Sequence, residues 1–294
     1  MIRFETVAEL VKLAEEKAVP LSEIVIQSEA ENTQQSRFAV LATMGAQWQV
    51  MKEAIQRGVT NRERSVSGLT GGDAVKLFIR QKEGGYLGSA ALATAAYAVG
   101  VSEVNAAMGR IVACPTAGSC GIVPAVLYTA MKQGAEENAI VQALFTAAGV
   151  GMIIEANASI SGAAGGCQAE CGSAAGMAAA ALVELGGGSP EAAAHGAALA
   201  IKNLLGLVCD PVAGLVEVPC VKRNGFAAVH AMLAADMALA GVRSIIPVDE
   251  VIQAMDHIGR ALPCNLKETA EGGLAVSETA KAIARKIYGE ENPA

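Results

Sequence analysis

Apolar residues recur at three- and four-residue spacing along almost the whole chain, a period that predicts helix after helix. Over 5–17 the stripe is Val7, Leu10, Val11, Leu13 and Ala14, and Pro20 closes it. Ser22 is placed to cap a second helix that carries Ile24, Val25 and Ile26. A longer helix over 36–58 holds the only tryptophan, Trp48, as a core residue. A polar, Gly-bearing loop over 61–72 precedes a short helix over 73–82, which Gly84-Gly85 ends. Further helices are expected over 89–110, 122–132, 135–156, 168–185, 189–205, 224–240 and 248–261, with a last one ending near Tyr288. Ser189-Pro190-Glu191 is a helix-start signature, and Asn224 and Asp249 are the expected starts of the two helices after it. Strand signals are nearly absent, since β-branched runs such as 215–218 are too short for a sheet core. The pattern therefore predicts an all-α fold: one Ala/Gly-rich multi-helix domain with functional loops between helices. Residues 1–35 are expected to form an N-terminal helical extension and 36–294 the main helical domain.

Composition narrows the class. Hydrophobic residues make up 52% of the 294 and the mean hydropathy is +0.39, so membrane spans must be considered. The longest uncharged runs, 86–102 and 139–154, sit at or below the length of a span and owe their score largely to alanine. They are expected to be core helices, with no membrane partner. A net charge of −7 with 3% aromatics argues against a nucleic-acid surface. Acidic residues come early and no apolar leader precedes them, so a cytoplasmic protein is expected. Seven cysteines in such a chain point to metal binding or reactive thiols rather than a disulfide framework. No phosphate-binding loop or dinucleotide fingerprint is present, and Gly186-Gly187-Gly188 simply ends a helix. Pyridoxal phosphate needs a Schiff-base lysine in an α/β fold, so none is expected here.

Three cysteines stand out because each sits beside Gly, Pro or Asp in what reads as a loop, where exposed ionisable thiols occur. Cys167 follows Gly165-Gly166, Cys209 precedes Asp210-Pro211, and Cys220 follows Pro219. There is no Cys-x-x-Cys, and Cys167 and Cys171, four apart on a helix, are poorly spaced for one tetrahedral zinc. Spacing alone leaves two alternatives: a [4Fe–4S] cluster held by three thiolates with one open iron, or cysteines buried incidentally. His195, His230 and His257 lie singly on predicted helices and read as packing or surface residues. Glu170 and Asp210 are either orienting partners for neighbouring thiolates or ordinary local acids.

Several loop motifs, in chain order, then carry a resemblance. They are Pro115-Thr116-Ala117-Gly118-Ser119-Cys120-Gly121-Ile122-Val123-Pro124, Asn157-Ala158-Ser159-Ile160-Ser161-Gly162 and Gly166-Cys167-Gln168-Ala169-Glu170. Downstream follow Cys209-Asp210-Pro211-Val212-Ala213-Gly214, Val218-Pro219-Cys220 with Arg223-Asn224, and Lys267-Glu268-Thr269 with Gly272-Gly273-Leu274-Ala275. Together these resemble the iron–sulfur L-serine dehydratases, specifically the α chain of the two-chain form. The resemblance implies a [4Fe–4S] cluster on Cys167, Cys209 and Cys220, L-serine as substrate, and a separate β chain as partner. It implies elimination of water to give pyruvate and ammonia, the open iron acting as Lewis acid on substrate oxygens. Lys267 becomes the candidate catalytic residue, as base or carboxylate binder. Thr116, Gly118, Asn157, Ser159, Ser161 and Thr269 become candidate substrate-binding residues. Two departures go with it: Ala117 stands where several relatives have Asn, and the chain ends Glu290-Glu291-Asn292-Pro293-Ala294 without the terminal cysteine of many single-chain members. A related lyase acting on L-cysteine, or a non-catalytic zinc or redox protein, are the competing readings.

Overall fold

Helix α9 (Ser173–Leu185) is apolar on every side, and the fold is built around it. It is sheathed by α6 (Ile122–Lys132), α7 (Glu137–Asn157), α10 (Pro190–Lys202) and α11 (Cys220–Leu239). The computed structural model describes residues 2–289, so Met1 and the cysteine-free tail over 290–294 lie outside the described residues. Outside that sheath, α5 (Gly88–Ala106) packs on α11 and α6, and also on α3 (Arg37–Thr60) and α4 (Asp73–Arg80). The first two helices, α1 (Val7–Lys17) and α2 (Leu21–Thr33), lie against α10 and α7. The single turn α8 (Gly162–Gly165), α12 (Val248–Ala261) and α13 (Glu278–Tyr288) complete an all-α domain. No strand occurs among the described residues, only one isolated parallel bridge between Cys209 and Lys267.

Small residues set the spacing. A Cβ added at Gly58 would meet the Gly100 backbone at 2.4 Å, so α3 and α5 cross with main chains in contact. A Cβ at Gly121 would lie 2.2 Å from the Ala98 oxygen. One aromatic cluster forms in the core, where Trp48 tilts against Tyr128 and Tyr128 meets Tyr97 edge-on at 4.9 Å. The helices over 1–35 share this interior rather than building their own: Leu10, Leu21, Ile24 and Ile26 are fully buried in the common core. One helix, α7, is long and apolar enough to cross a membrane, but most of its apolar window is covered by neighbouring helices.

Several helix starts differ from the sequence expectation, each for a tertiary reason. Ser189 caps α10 as expected, and Ser36 caps α3, but α2 begins at Leu21 behind Pro20, so Ser22 lies inside the helix rather than capping it. Asp249 lies inside α12, and its carboxylate instead accepts the Val7 and Ala8 N–H groups at the start of α1. Helix α4 is capped by the buried Glu103 carboxylate, which takes the N–H groups of Gly72, Asp73 and Ala74. The loop over 61–72 is tied down by Glu217, which accepts from Ser67 and Thr70 at 2.7 and 2.8 Å. Most consequential is α11, which begins at Cys220 with Pro219 before it, not at Asn224. Asn224 then lies inside the first turns.

Candidate functional site

The site is assembled from five segments. At Gly166 the backbone takes φ +78, and a side chain there would strike Leu262 and the Leu207 carbonyl. Cys167 follows, and the chain then makes a π-turn over Gln168–Gly172 before α9. Such turns interrupt regular hydrogen bonding and occur often at functional sites. Gln168 fixes this one in place: its amide donates to the Gly165 and Met255 carbonyls, and its oxygen accepts the Gly206 N–H. Cys209 sits in extended backbone against a strap over 264–276. Its N–H donates to the Leu266 carbonyl at 2.9 Å, and its carbonyl accepts the Glu268 N–H at 2.8 Å. Cys220 opens α11. Asn224 joins that helix to the loop over 115–121, donating to the Cys220 and Gly118 carbonyls and accepting the Gly121 N–H.

Two charged side chains organise the interior. Arg223, one turn beyond Cys220, donates to the Val208 carbonyl and to Asp210 Oδ1, both at 2.9 Å. Asp210 Oδ2 accepts the Leu274 N–H at 2.8 Å, and a Cβ at Gly273 would lie 2.5 Å from the same oxygen. Asp210 thus joins the Cys209 segment, α11 and the strap. Burial works against the Arg223 charge, but Cys167 and Asp210 outweigh it and hold the guanidinium pKa above its ordinary value. Donation from Cys171, whose sulfur is 3.4 Å from that of Cys167, draws the Cys167 thiol below its ordinary value against desolvation, and Arg223 adds to this. Desolvation pushes Cys209 up and Cys220 up to about 12, and each also feels Cys167 and Glu170.

The three thiols are not exposed, as their loop positions suggested: Cys167, Cys209 and Cys220 are all buried. The loops close over one another, so a segment without regular structure still lies inside. Thr116 and Gly118 come directly to this interior. Thr116 Oγ1 donates to Glu170 Oε1 at 2.7 Å, and a Cβ at Gly118 would lie 2.7 Å from that oxygen. Gly162 approaches from the other side, its Cβ position 2.8 Å from Glu170 Oε2 and 3.1 Å from Cys209 Sγ. Lys267 flanks Cys209 through its backbone, and its side chain is half-buried. Thr269 is exposed and shapes its own turn, donating to the Cys264 carbonyl and accepting the Glu271 N–H. Ser159 accepts the Ser161 N–H, and Ser161 opens α8. Asn157 is engaged elsewhere, its amide donating to the Glu5 and Ile153 carbonyls. Cys114 and Cys120 are buried thiols held up to about 12 by desolvation, and Cys264 is exposed.

The sequence reading missed Arg223 as the cation of the site. Starting α11 at Cys220 would have found it, because residues three apart share a helix face. It weighed Cys171 only as a poor zinc partner for Cys167, and the two sulfurs lie 3.4 Å apart.

The donor set is soft. Three buried thiols from distant segments lie within each other's electrostatic reach beside the part-buried Arg223 guanidinium. Thiolates of this kind suit iron–sulfur clusters and zinc. No group of three or more His, Cys, Asp or Glu among the described residues is arranged around a single ion. A polynuclear cluster makes a different demand, because its thiolates bind separate irons.

Comparison with known proteins gives this arrangement its context. A family model described as serine dehydratase alpha chain matches residues 16–275. A probable L-serine dehydratase alpha chain of Bacillus subtilis is 50% identical over 97% of this chain and 96% of its own length. The L-serine dehydratase alpha chain of Peptoniphilus asaccharolyticus is 41% identical over 97% of this chain and 98% of its own length. An L-serine dehydratase of Streptomyces coelicolor is 42% identical over 93% of this chain, which spans 61% of that longer protein. With one family model covering most of the residues and two relatives matched nearly end to end, the chain belongs to the serine dehydratase alpha chain family.

Proposed function

We propose that this chain is the cluster-bearing half of an enzyme that eliminates water from L-serine to give pyruvate and ammonia. In this reading Cys167, Cys209 and Cys220 hold a [4Fe–4S] cluster. The observation that carries it is the convergence of these three thiols, far apart in sequence, in one buried interior beside Arg223. When bound, a cluster with one iron free of protein thiolate supplies a Lewis acid for the hydroxyl and carboxylate oxygens of the substrate. The chain's own residues do the rest. Arg223 offsets thiolate charge at Cys167, which matters because metal ligands must be deprotonated. Asp210 keeps Arg223 and the strap in register with Cys209. Lys267 stands beside Cys209 as the residue to receive the substrate carboxylate or remove its α-proton. Thr116 and Gly118 face the same interior and bound the substrate space.

The partner in this reading is a β chain. Support comes from the words "alpha chain" in the names of the two-chain relatives and from the greater length of the Streptomyces protein. The assembly works in the cytoplasm. The test is anaerobic co-purification with a β chain, followed by iron and acid-labile sulfide analysis and a pyruvate assay on L-serine and L-cysteine side by side. Iron with sulfide and turnover of serine is the expected result. Zinc without sulfide would overturn the cluster, and turnover of cysteine alone would overturn the substrate.

A further inference from the structure

Glu170 is the buried acid of the site that no cation accompanies. Its side chain belongs to the π-turn after Cys167, and the residue is only 8% exposed. Of the other buried carboxylates among these loops, Asp210 is paired with Arg223 at 2.9 Å, and Glu217 takes two hydrogen bonds, from Ser67 and Thr70. Glu170 has one hydrogen bond, from Thr116 Oγ1 to Oε1, and no lysine, arginine or histidine of the described chain makes an ion pair with it. Burial pushes its carboxyl up, Thr116 draws it down, and the nearby Glu268 pushes it further up. An acid held this way is costly to the fold, because a buried charge is stable only when paired and hydrogen-bonded. The position is nevertheless built with care. Gly118 and Gly162, from two different loops, would each place a Cβ within 2.8 Å of a carboxylate oxygen. Only glycine lets these two loops close so directly on Glu170, and the Gly162 side of the contact borders Cys209 Sγ. The charge also bears on Cys167, Cys171, Cys209 and Cys220 alike, which sets it amid the thiols.

We propose that Glu170 binds the α-ammonium group of the substrate, making it the residue that selects β-hydroxy α-amino acids over hydroxy acids lacking the amine. The inference rests on the dehydratase reading above. The cation that the fold withholds from Glu170 is then supplied by the ligand, and Thr116 holds the second oxygen in orientation. A site built to pair a charged group rejects analogues without it, because the acid is otherwise left buried and alone.

The experiment uses the anaerobically purified, cluster-loaded complex and its Glu170→Gln variant. It compares KM for L-serine with the inhibition constant of 3-hydroxypropanoate, which is serine without its amino group, and measures iron and sulfide in both proteins. The variant is expected to keep its iron and sulfide and to raise KM for serine about 10- to 100-fold, the scale of one charge-assisted hydrogen bond. Its affinity for 3-hydroxypropanoate should change little, so the preference for the amine collapses. A preference preserved within about twofold of the wild type overturns the proposal. So does loss of iron and sulfide in the variant, which would assign Glu170 to holding the cluster, or a fall in kcat alone, which would assign it to proton transfer. If the Gln variant does not fold, Glu170→Asp is read in the same assay. Drawing the carboxylate back by one methylene should shrink the preference, and an unchanged preference overturns the proposal. A wild-type complex without iron, sulfide and serine turnover overturns the dehydratase reading itself.

Discussion

The interior around α9 and the interior around Glu170 are both enclosed by helices and loops, and they are opposite in chemistry. Around α9 most buried side chains are alanines, Ala174, Ala175, Ala178, Ala179, Ala180 and Ala181, with Met177 and Val183 the larger ones, and the neighbouring helices come close over the alanine stretches. Stability there is a matter of volume and apolar area. Around Glu170 the same degree of burial encloses three thiols, a guanidinium and two carboxylates. Stability there depends on each polar group having its partner, and one partner comes from outside the chain. A fold can place such a site only on a scaffold rigid enough to hold charges it does not fully satisfy. The Ala/Gly helices are that scaffold.

Four experiments break or sharpen this contrast. The largest effect is expected in the site: Cys209→Ala, and likewise Cys167→Ala or Cys220→Ala, should abolish bound iron, sulfide and pyruvate formation while leaving the helical circular dichroism intact. Unchanged iron and sulfide in any one of them would remove that residue from the ligand set. Next comes the buried pair. Asp210→Ala leaves Arg223 unpaired and the Leu274 N–H without its acceptor, and should cost about 3–5 kcal/mol in urea unfolding. A loss no larger than a surface pair gives would mean that water reaches Arg223.

In the scaffold, Gly58→Ala forces a Cβ into the Gly100 backbone, and overpacking of this kind should cost about 1–3 kcal/mol. Its activity per folded molecule should stay at the wild-type level, which a site substitution cannot do. The smallest effect belongs to the surface. Arg37 bonds Glu23 and holds its carboxyl below the ordinary value of 4.5. The unfolded chain therefore takes that proton more readily. The contribution of the pair is complete above pH 4.5 and is lost as pH falls through the lowered folded-state value. Arg37→Ala should remove about 0.2–1 kcal/mol at pH 7 and flatten the acid limb of a stability-against-pH curve. An unaltered acid limb would mean that the pair contributes nothing.

Much of the scaffold was legible because its signals are local. The stripe over 5–17, the Ser189-Pro190 start and the Ala-rich run into α9 each carry their own periodicity or cap. The site was legible as a set of motifs, and Cys167, Cys209 and Cys220 do come to one interior. Its members divided in a way that no motif announces. Thr116 and Gly118 meet Glu170, whereas the Asn157 amide is spent on Glu5 and Ile153. A hydrogen-bonding residue looks the same in sequence whether its partner is a ligand or a distant carbonyl.

The sequence by itself determined the all-α class, the helices with local caps and the residue types at the site, because propensity and spacing act over a few residues. It took folding to settle that Cys220 opens α11, that Cys171 lies against Cys167, that Asp210 takes Arg223, and that Glu170 is left without a cation. Those outcomes depend on segments far apart in the chain, and burial sets which of their charges find a partner.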